Sequence, residues 1–194
     1  MIPAVLLVGP PAAGKSTVAA RLGALLTGRD VRLLQLDTVH RELCPPDVEG
    51  RGYHYEQGML ILDDRPRLVA EALAAFDGAL AESAKAGNGA LALVEFSSSD
   101  YRATLSALPS LRRYTTYALH VTAPRATLLR RNALRPEAIR VPEVFLRAAA
   151  RADASEVAAR VGRDRFAEVA NTAQAAPDQL DPLLERCLGR WGLR

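Results

Sequence analysis

The chain has 194 residues, 49% of them apolar, and that length and apolar share suit one domain (1–194) round a sizeable core. A formal charge of +3 is too slight to argue for a nucleic-acid partner, and 5% aromatics leave few platforms for stacked bases. No run approaches the roughly 20 apolar residues that span a bilayer, and the start lacks a signal peptide's basic segment and cleavage-like site, so a cytoplasmic protein without a membrane partner is expected.

Pro3 to Val8 is a short aliphatic run stopped by Gly9, the pattern of a buried strand. Val18, Leu22, Leu25 and Leu26 then recur at helical spacing, and Thr27-Gly28 closes that helix. Val31 to Leu36 reads as a second strand. The stretch from Arg41 to Asp64 is the least regular, holding Pro45, Pro46, Gly50, Gly52 and Gly58. An irregular loop of that length in a compact domain is usually functional. Pro66 opens a long helix marked by Leu68, Val69, Ala72, Leu73, Phe76 and Leu80. After the Gly87-Asn88-Gly89 turn, Ala90 to Phe96 is a third strand, and Thr115 to Val121 a fourth. Leu128 and Leu129 begin a helix that Pro136 ends, and helical stretches follow near Val144 to Ala150 and Ala154 to Val161. Arg165 to Ala170 is a weaker fifth strand, and Leu180 to Leu188 a last amphipathic helix anchored by Trp191. Continuous apolar strands alternating with helices imply a parallel sheet covered on both faces, a three-layer α/β sandwich. The two cysteines, Cys44 and Cys187, make no metal or redox motif and read as reduced thiols.

Between the first strand and first helix lies Gly9-Pro10-Pro11-Ala12-Ala13-Gly14-Lys15-Ser16, which fits G-x-x-x-x-G-K-[ST]. The glycines let the backbone curl until several N–H groups face phosphate oxygens, and the helix adds its positive N-terminal end. Lys15 then reaches the β- and γ-phosphates and the Ser16 hydroxyl ligates Mg²⁺. Gly9, Ala12, Ala13, Gly14, Lys15, Ser16 and Thr17 are the expected nucleotide-binding residues, for ATP with Mg²⁺.

Switch GTPases also carry an N-K-x-D downstream, which does not occur here. ABC and AAA-type ATPases are larger and have a core strand ending in Asp-Asp or Asp-Glu, where the strand Ala90 to Phe96 carries the single acid Glu95. The chain resembles the nucleoside-monophosphate-kinase-like group of small P-loop kinases, with adenylate, shikimate and gluconate kinases and chloramphenicol phosphotransferase. "LLQLDTVH" carries Asp37 at a strand end with the Asp-x-x-His spacing of gluconate-kinase-like proteins; "LDDRP" and "SDYR" resemble further pieces of that pattern. In "VEFSSSDYR" Glu95 matches the acid after the third strand of adenylate kinase, while Ser99 stands where that enzyme has arginine. "LLRRNALRP" resembles the kinase lid, and "VANTA" the loop bordering the adenine ring, with Asn171 the candidate. The resemblance implies a five-stranded sheet in the order 2-3-1-4-5, an acceptor-binding segment at 38–65 and a short helical lid at 130–147.

It further implies roles. Asp37 is the base that takes the acceptor's proton, a ligand in the Mg²⁺ shell, or only a helix cap. Glu95 is the acid near Mg²⁺ or a base, against a solvated strand end. Arg131 and Arg135, four apart on one expected helical face, close on the phosphoryl group or form a solvated face; Arg130 is a weaker third. Arg41, Tyr53, His54, Arg65, Tyr101 and Arg102, with Asp37, are acceptor-site candidates by location. A monomeric or homodimeric kinase acting on a small hydroxylated acceptor is the leading expectation. A nucleoside or nucleotide kinase and a non-catalytic nucleotide-binding regulator are the alternatives.

Overall fold

The computed structural model describes residues 1–46, 48, 51–56, 59–85, 89–172 and 177–193. Gly50, Gly58, Gly87 and Asn88, named above for turns and loops, lie outside them. The central sheet is formed by β1 (Ile2–Val8), β2 (Asp30–Gln35), β5 (Ala90–Phe96), β6 (Tyr114–Thr122) and β7 (Phe166–Ala170). All neighbours pair in parallel, in the order β2-β5-β1-β6-β7. Leaving out a separate hairpin, this is the expected order 2-3-1-4-5.

The strand period of two sorts the core into two layers. Val5 and Leu7 of β1, with Leu91 and Leu93 of β5, meet Val18, Ala19 and Leu22 of α1 (Lys15–Leu25) and Leu184 and Leu188 of α8 (Pro177–Arg190). The alternate residues Ala4, Leu6, Val8, Ala92 and Val94 meet Phe76 and Leu80 of α3 (Arg65–Ser83) and Val157 of α7 (Ser155–Val161). Each buried aliphatic side chain contributes about 1.5–3 kcal/mol, so the two apolar faces of β1 and β5 hold the helices in place. Trp191 is buried with its ring tilted on Tyr117, which anchors the end of α8. Cys44 and Cys187 are buried free thiols, and burial pushes both up.

The segment expected to be irregular is regular in part. Leu36–Leu43 forms α2, and β3 (Tyr53–Glu56) pairs antiparallel with β4 (Met59–Leu62). The Pro and Gly signals mark the connections; Tyr53, Tyr55, Leu60 and Leu62 carry the strand pattern and pack on Cys44 and Leu68. Asp37 therefore lies in the first turn of α2 rather than at the end of a strand. A short helix, α4 (Tyr101–Ser106), follows β5, capped by Asp100, whose carboxylate accepts from the Ala103 amide at 2.9 Å.

The expected helix before Pro136 is α5 (Arg125–Ala133), and α6 (Glu143–Ala149) follows a 3-10 turn at Glu137–Ile139. α5 stops before Arg135, so Arg131 and Arg135 do not share a helical face. The Pro136 ring leaves no amide to continue the helix. No helix among the described residues is long and apolar enough to cross a membrane.

Candidate active site

Parallel sheets place their ligand crevice outside the carboxyl ends of the strands, and here the loop after β1, Lys15 and Glu95 lie at those ends. The loop after β1 has Gly9 at φ +144, Ala12 at +62 and Gly14 at +94. A Cβ on Gly9 would come within 2.1 Å of the Val121 carbonyl oxygen, and one on Gly14 within 2.0 Å of Asn171 Nδ2. Both glycines are thus fixed by backbone conformation and by close approach. Ala12 in the left-handed region stores strain of the kind found at ligand clamps. The result is a curled loop that ends on the first turn of α1, an anion cradle.

Lys15 is 5% exposed, and its ammonium donates to Gly9 O at 3.2 Å, Pro10 O at 3.1 Å and Ser97 Oγ at 2.7 Å. Burial lowers its pKa; the negative charges of Asp37 and Glu95 oppose that, and Arg135 adds to it. Asp37, Glu95 and Arg135 therefore all lie near enough to act on the Lys15 ammonium. Ser16 donates its hydroxyl to Glu95, at 2.9 Å from Oε1 and 3.1 Å from Oε2. Gln35 Nε2 donates to the same carboxylate at 2.8 Å. Gln35 and Glu95 are register partners on β2 and β5, which explains the pair. Thr17 is exposed on the first turn of α1.

Asn171, expected beside the adenine ring, instead spends its carboxamide on the loop, donating to Ala13 O at 2.8 Å. Its own amide donates to Thr122 O at 2.7 Å and so splices β7 onto β6. Arg131 reaches the same corner, with Ala13 O at 3.3 Å, Asn171 Oδ1 at 3.4 Å and Thr172 O at 3.5 Å. Arg135 donates to Ile139 O at 3.1 Å. Asn132, 7% exposed, clamps Val141 through both backbone groups, and Arg140 donates to the Ala133 and Arg135 carbonyls. The 130–147 segment is thus tied internally, by side chains that the sequence pattern left unassigned.

The acceptor candidates divide. Arg41 lies on α2 and donates to the Asp37 carbonyl at 3.2 Å. His54 pairs with Asp63 across the hairpin at 3.0 Å, and the Arg65 guanidinium sits 5.4 Å over the Phe145 ring of α6. β4 also packs beside the Glu137–Ile139 turn, so hairpin and lid segment face each other at the mouth of the crevice. Tyr53 and Tyr101 are corrections. Tyr53 is 4% exposed, with its hydroxyl on Pro45 O at 2.9 Å. Tyr101 is 2% exposed against Phe96, burial pushing its phenol up to about 12. Aromatic rings near a site pack into the core when the hydrophobic gain is available. Arg102 turns to α7, where it pairs with Glu156.

Gln35 and Ser97 escaped the sequence reading, and His40 entered it only through the Asp-x-x-His spacing. Strand alternation could have found Ser97, two residues past Glu95 and on its side of the sheet. His40, three residues after Asp37 on α2, has a buried Nε2 without a hydrogen-bond partner, and burial lowers its pKa against the opposing Asp37 charge.

A family model described as an AAA domain matches residues 5–176. The chain belongs to this family. Size and the single acid of β5, Glu95, which set AAA-type ATPases aside above, do not separate it from the family. No curated protein matches in sequence. Among solved structures, a kinase-like protein of Chloroflexus aurantiacus is 17% identical over 97% of this chain and 96% of its own, with a TM-score of 0.60. A sugar kinase from Janibacter sp. is 17% identical over 100% and 96%, with a TM-score of 0.58. Shikimate kinase from Acinetobacter baumannii, in complex with shikimate, is 16% identical over 100% and 97%, with a TM-score of 0.55. The fold is that of the small P-loop kinases.

Proposed function

We propose that the protein transfers the γ-phosphoryl group of ATP to a hydroxyl of a small-molecule acceptor. The observation that carries this reading is the convergence of Lys15, Glu95, Asp37 and Arg135 on one crevice beside the curled loop. The loop amides and Lys15 would hold the phosphates. Asp37 would accept the acceptor's proton as the new O–P bond forms and ADP leaves. Arg135 would draw the charge that spreads over the phosphoryl oxygens. Ser16 and Glu95 would hold Mg²⁺, an ion that takes one or two carboxylates and otherwise keeps water and phosphate oxygens. When bound, it supplies charge neutralisation between the β- and γ-phosphates.

The hairpin and α2 would line the acceptor side. A phosphate-bearing acceptor needs free arginines there, and Arg67 is committed to Asp64, Glu71 and the Arg51 carbonyl. Arg41, whose Nε donates to the Asp37 carbonyl, keeps its terminal nitrogens on that side, so a nucleotide acceptor is the second reading. The test is ADP release from ATP and Mg²⁺ in the presence of fractionated metabolite extracts. Acceptor-dependent release that vanishes in Lys15→Ala is expected. Release by Lys15→Ala within a few-fold of the native chain, or none with any fraction, would sink the reading.

A further inference from the structure

An ammonium has three donors, and those of Lys15 are all in use on Gly9 O, Pro10 O and Ser97 Oγ. The first two acceptors are backbone carbonyls and can donate nothing. Ser97 can. Its oxygen is taken by Lys15 at 2.7 Å, and its own hydroxyl hydrogen meets no acceptor among the described residues. The side chain is half-buried, directly after the carboxyl end of β5, beside the lysine of the phosphate loop.

Its position narrows the ligand atom. The loop amides cradle the inner phosphates, while the lysine reaches the β- and γ-phosphates. Ser97 stands against the tip of that lysine, on the strand end of β5 rather than on the loop. Two residues before it, Glu95 faces Ser16, the side where a metal would bridge the β- and γ-oxygens. The terminal phosphate is the group that would meet both the Lys15 tip and Ser97, just past the end of β5.

We infer that Ser97 is a γ-phosphate ligand: its oxygen accepts from Lys15 while its hydroxyl donates to a terminal phosphate oxygen, so the site tells triphosphate from diphosphate. This rests on the nucleotide-site part of the reading above, not on the identity of the acceptor. Without triphosphate, the same hydroxyl keeps the buried ammonium fully bonded, which holds Lys15 in position.

The experiment is calorimetric titration, with Mg²⁺, of ADP and of the non-hydrolysable β,γ-imido analogue of ATP. Ser97→Ala and Ser97→Cys should lose about tenfold or more in affinity for the analogue, with ADP affinity changed by about twofold or less. Ser97→Thr, which keeps a hydroxyl, should restore the preference. Circular dichroism identifies any variant that fails to fold, and either hydroxyl-less variant suffices. Equal losses for both nucleotides, or no loss, would overturn the inference. Selective loss in a chain that phosphorylates no acceptor would leave Ser97 standing and remove the kinase reading. Transfer activity with no change in nucleotide preference would do the reverse. A native chain that binds neither nucleotide overturns both.

Discussion

Ser16 and Glu95 are joined by a hydrogen bond that spans 79 residues of sequence, the serine hydroxyl reaching both carboxylate oxygens at 2.9 and 3.1 Å. The first turn of α1 and the end of β5 are thereby tied together. Gln35 steadies the same carboxylate from β2. Glu95→Gln should keep the fold, because an amide can still accept from Ser16. It should raise the Mg²⁺ concentration for half-maximal turnover about tenfold or more. A Mg²⁺ titration of the rate checks this; an unchanged midpoint would make Glu95 a structural partner of Ser16 alone.

Asp37 is exposed in the first turn of α2, where its charge acts on both Lys15 and His40. A helix cap would sit at Gln35, which makes no side-chain capping bond, so capping does not explain Asp37. Asp37→Asn should lower kcat by roughly 10²-fold, the scale of a lost general base, with nucleotide affinity little changed. A loss confined to nucleotide or Mg²⁺ binding would reassign the residue to the metal shell.

Gly14 and Asn171 are coupled by space. An added methyl on Gly14 meets Asn171 Nδ2 at 2.0 Å, and the φ of +94 is itself unfavourable for any L side chain. Gly14→Ala should therefore destabilise strongly. In an Asn171→Ala background the steric part disappears and the conformational part, about 1–2 kcal/mol, remains. Thermal melts of the two single variants and the double variant should show this non-additivity. Strict additivity would mean that the loop relaxes away from β7.

His40 supplies a pH dependence. Burial lowers its pKa from 6.5, so between the folded value and 6.5 the unfolded chain holds the proton and the folded chain does not. Stability then rises with pH across that window, is lost as the solution is acidified through it, and levels off below it. The buried Nε2 has no partner to compensate for a proton. His40→Leu should flatten the melting-temperature profile below pH 6.5, measured from acid to neutral. An unaltered slope would assign the acid sensitivity to other groups.

The sheet and the phosphate loop were legible because both are written locally. Val5, Leu7, Leu91 and Leu93 carry a strand period, and the loop glycines stand at fixed offsets from Lys15. The hairpin was not, since Tyr53 and Leu62 pair across a segment whose proline and glycine content dominates a short window. The helical face shared by Arg131 and Arg135 was misread because Pro136 ends α5 sooner than the periodicity suggests. Gln35 and Ser97 act through neighbours that are distant in sequence, Glu95 on the next strand and Lys15 on α1, and no window of sequence contains such pairs.

The lid segment gives the last prediction. Arg131 and Arg135 each have five donors, yet Arg131 uses them only at 3.3–3.5 Å and Arg135 makes a single bond at 3.1 Å. Both keep donors for a phosphate. The clamp of Asn132 on Val141, and of Arg140 on the Ala133 and Arg135 carbonyls, ties 132–141 into one body. Its motion should therefore be that of a block, not of a fraying loop. Hydrogen exchange across 130–147 should slow together on adding the β,γ-imido analogue with acceptor, while the five strands change little. The two arginines should differ, because Arg131 touches the phosphate loop itself while Arg135 faces Lys15 through its charge. Arg131→Ala should weaken nucleotide binding, whereas Arg135→Ala should lower kcat more than it weakens binding, as expected for a contact that tightens at the transition state. Unchanged exchange together with full activity in both variants would show that these arginines only tie the segment to itself.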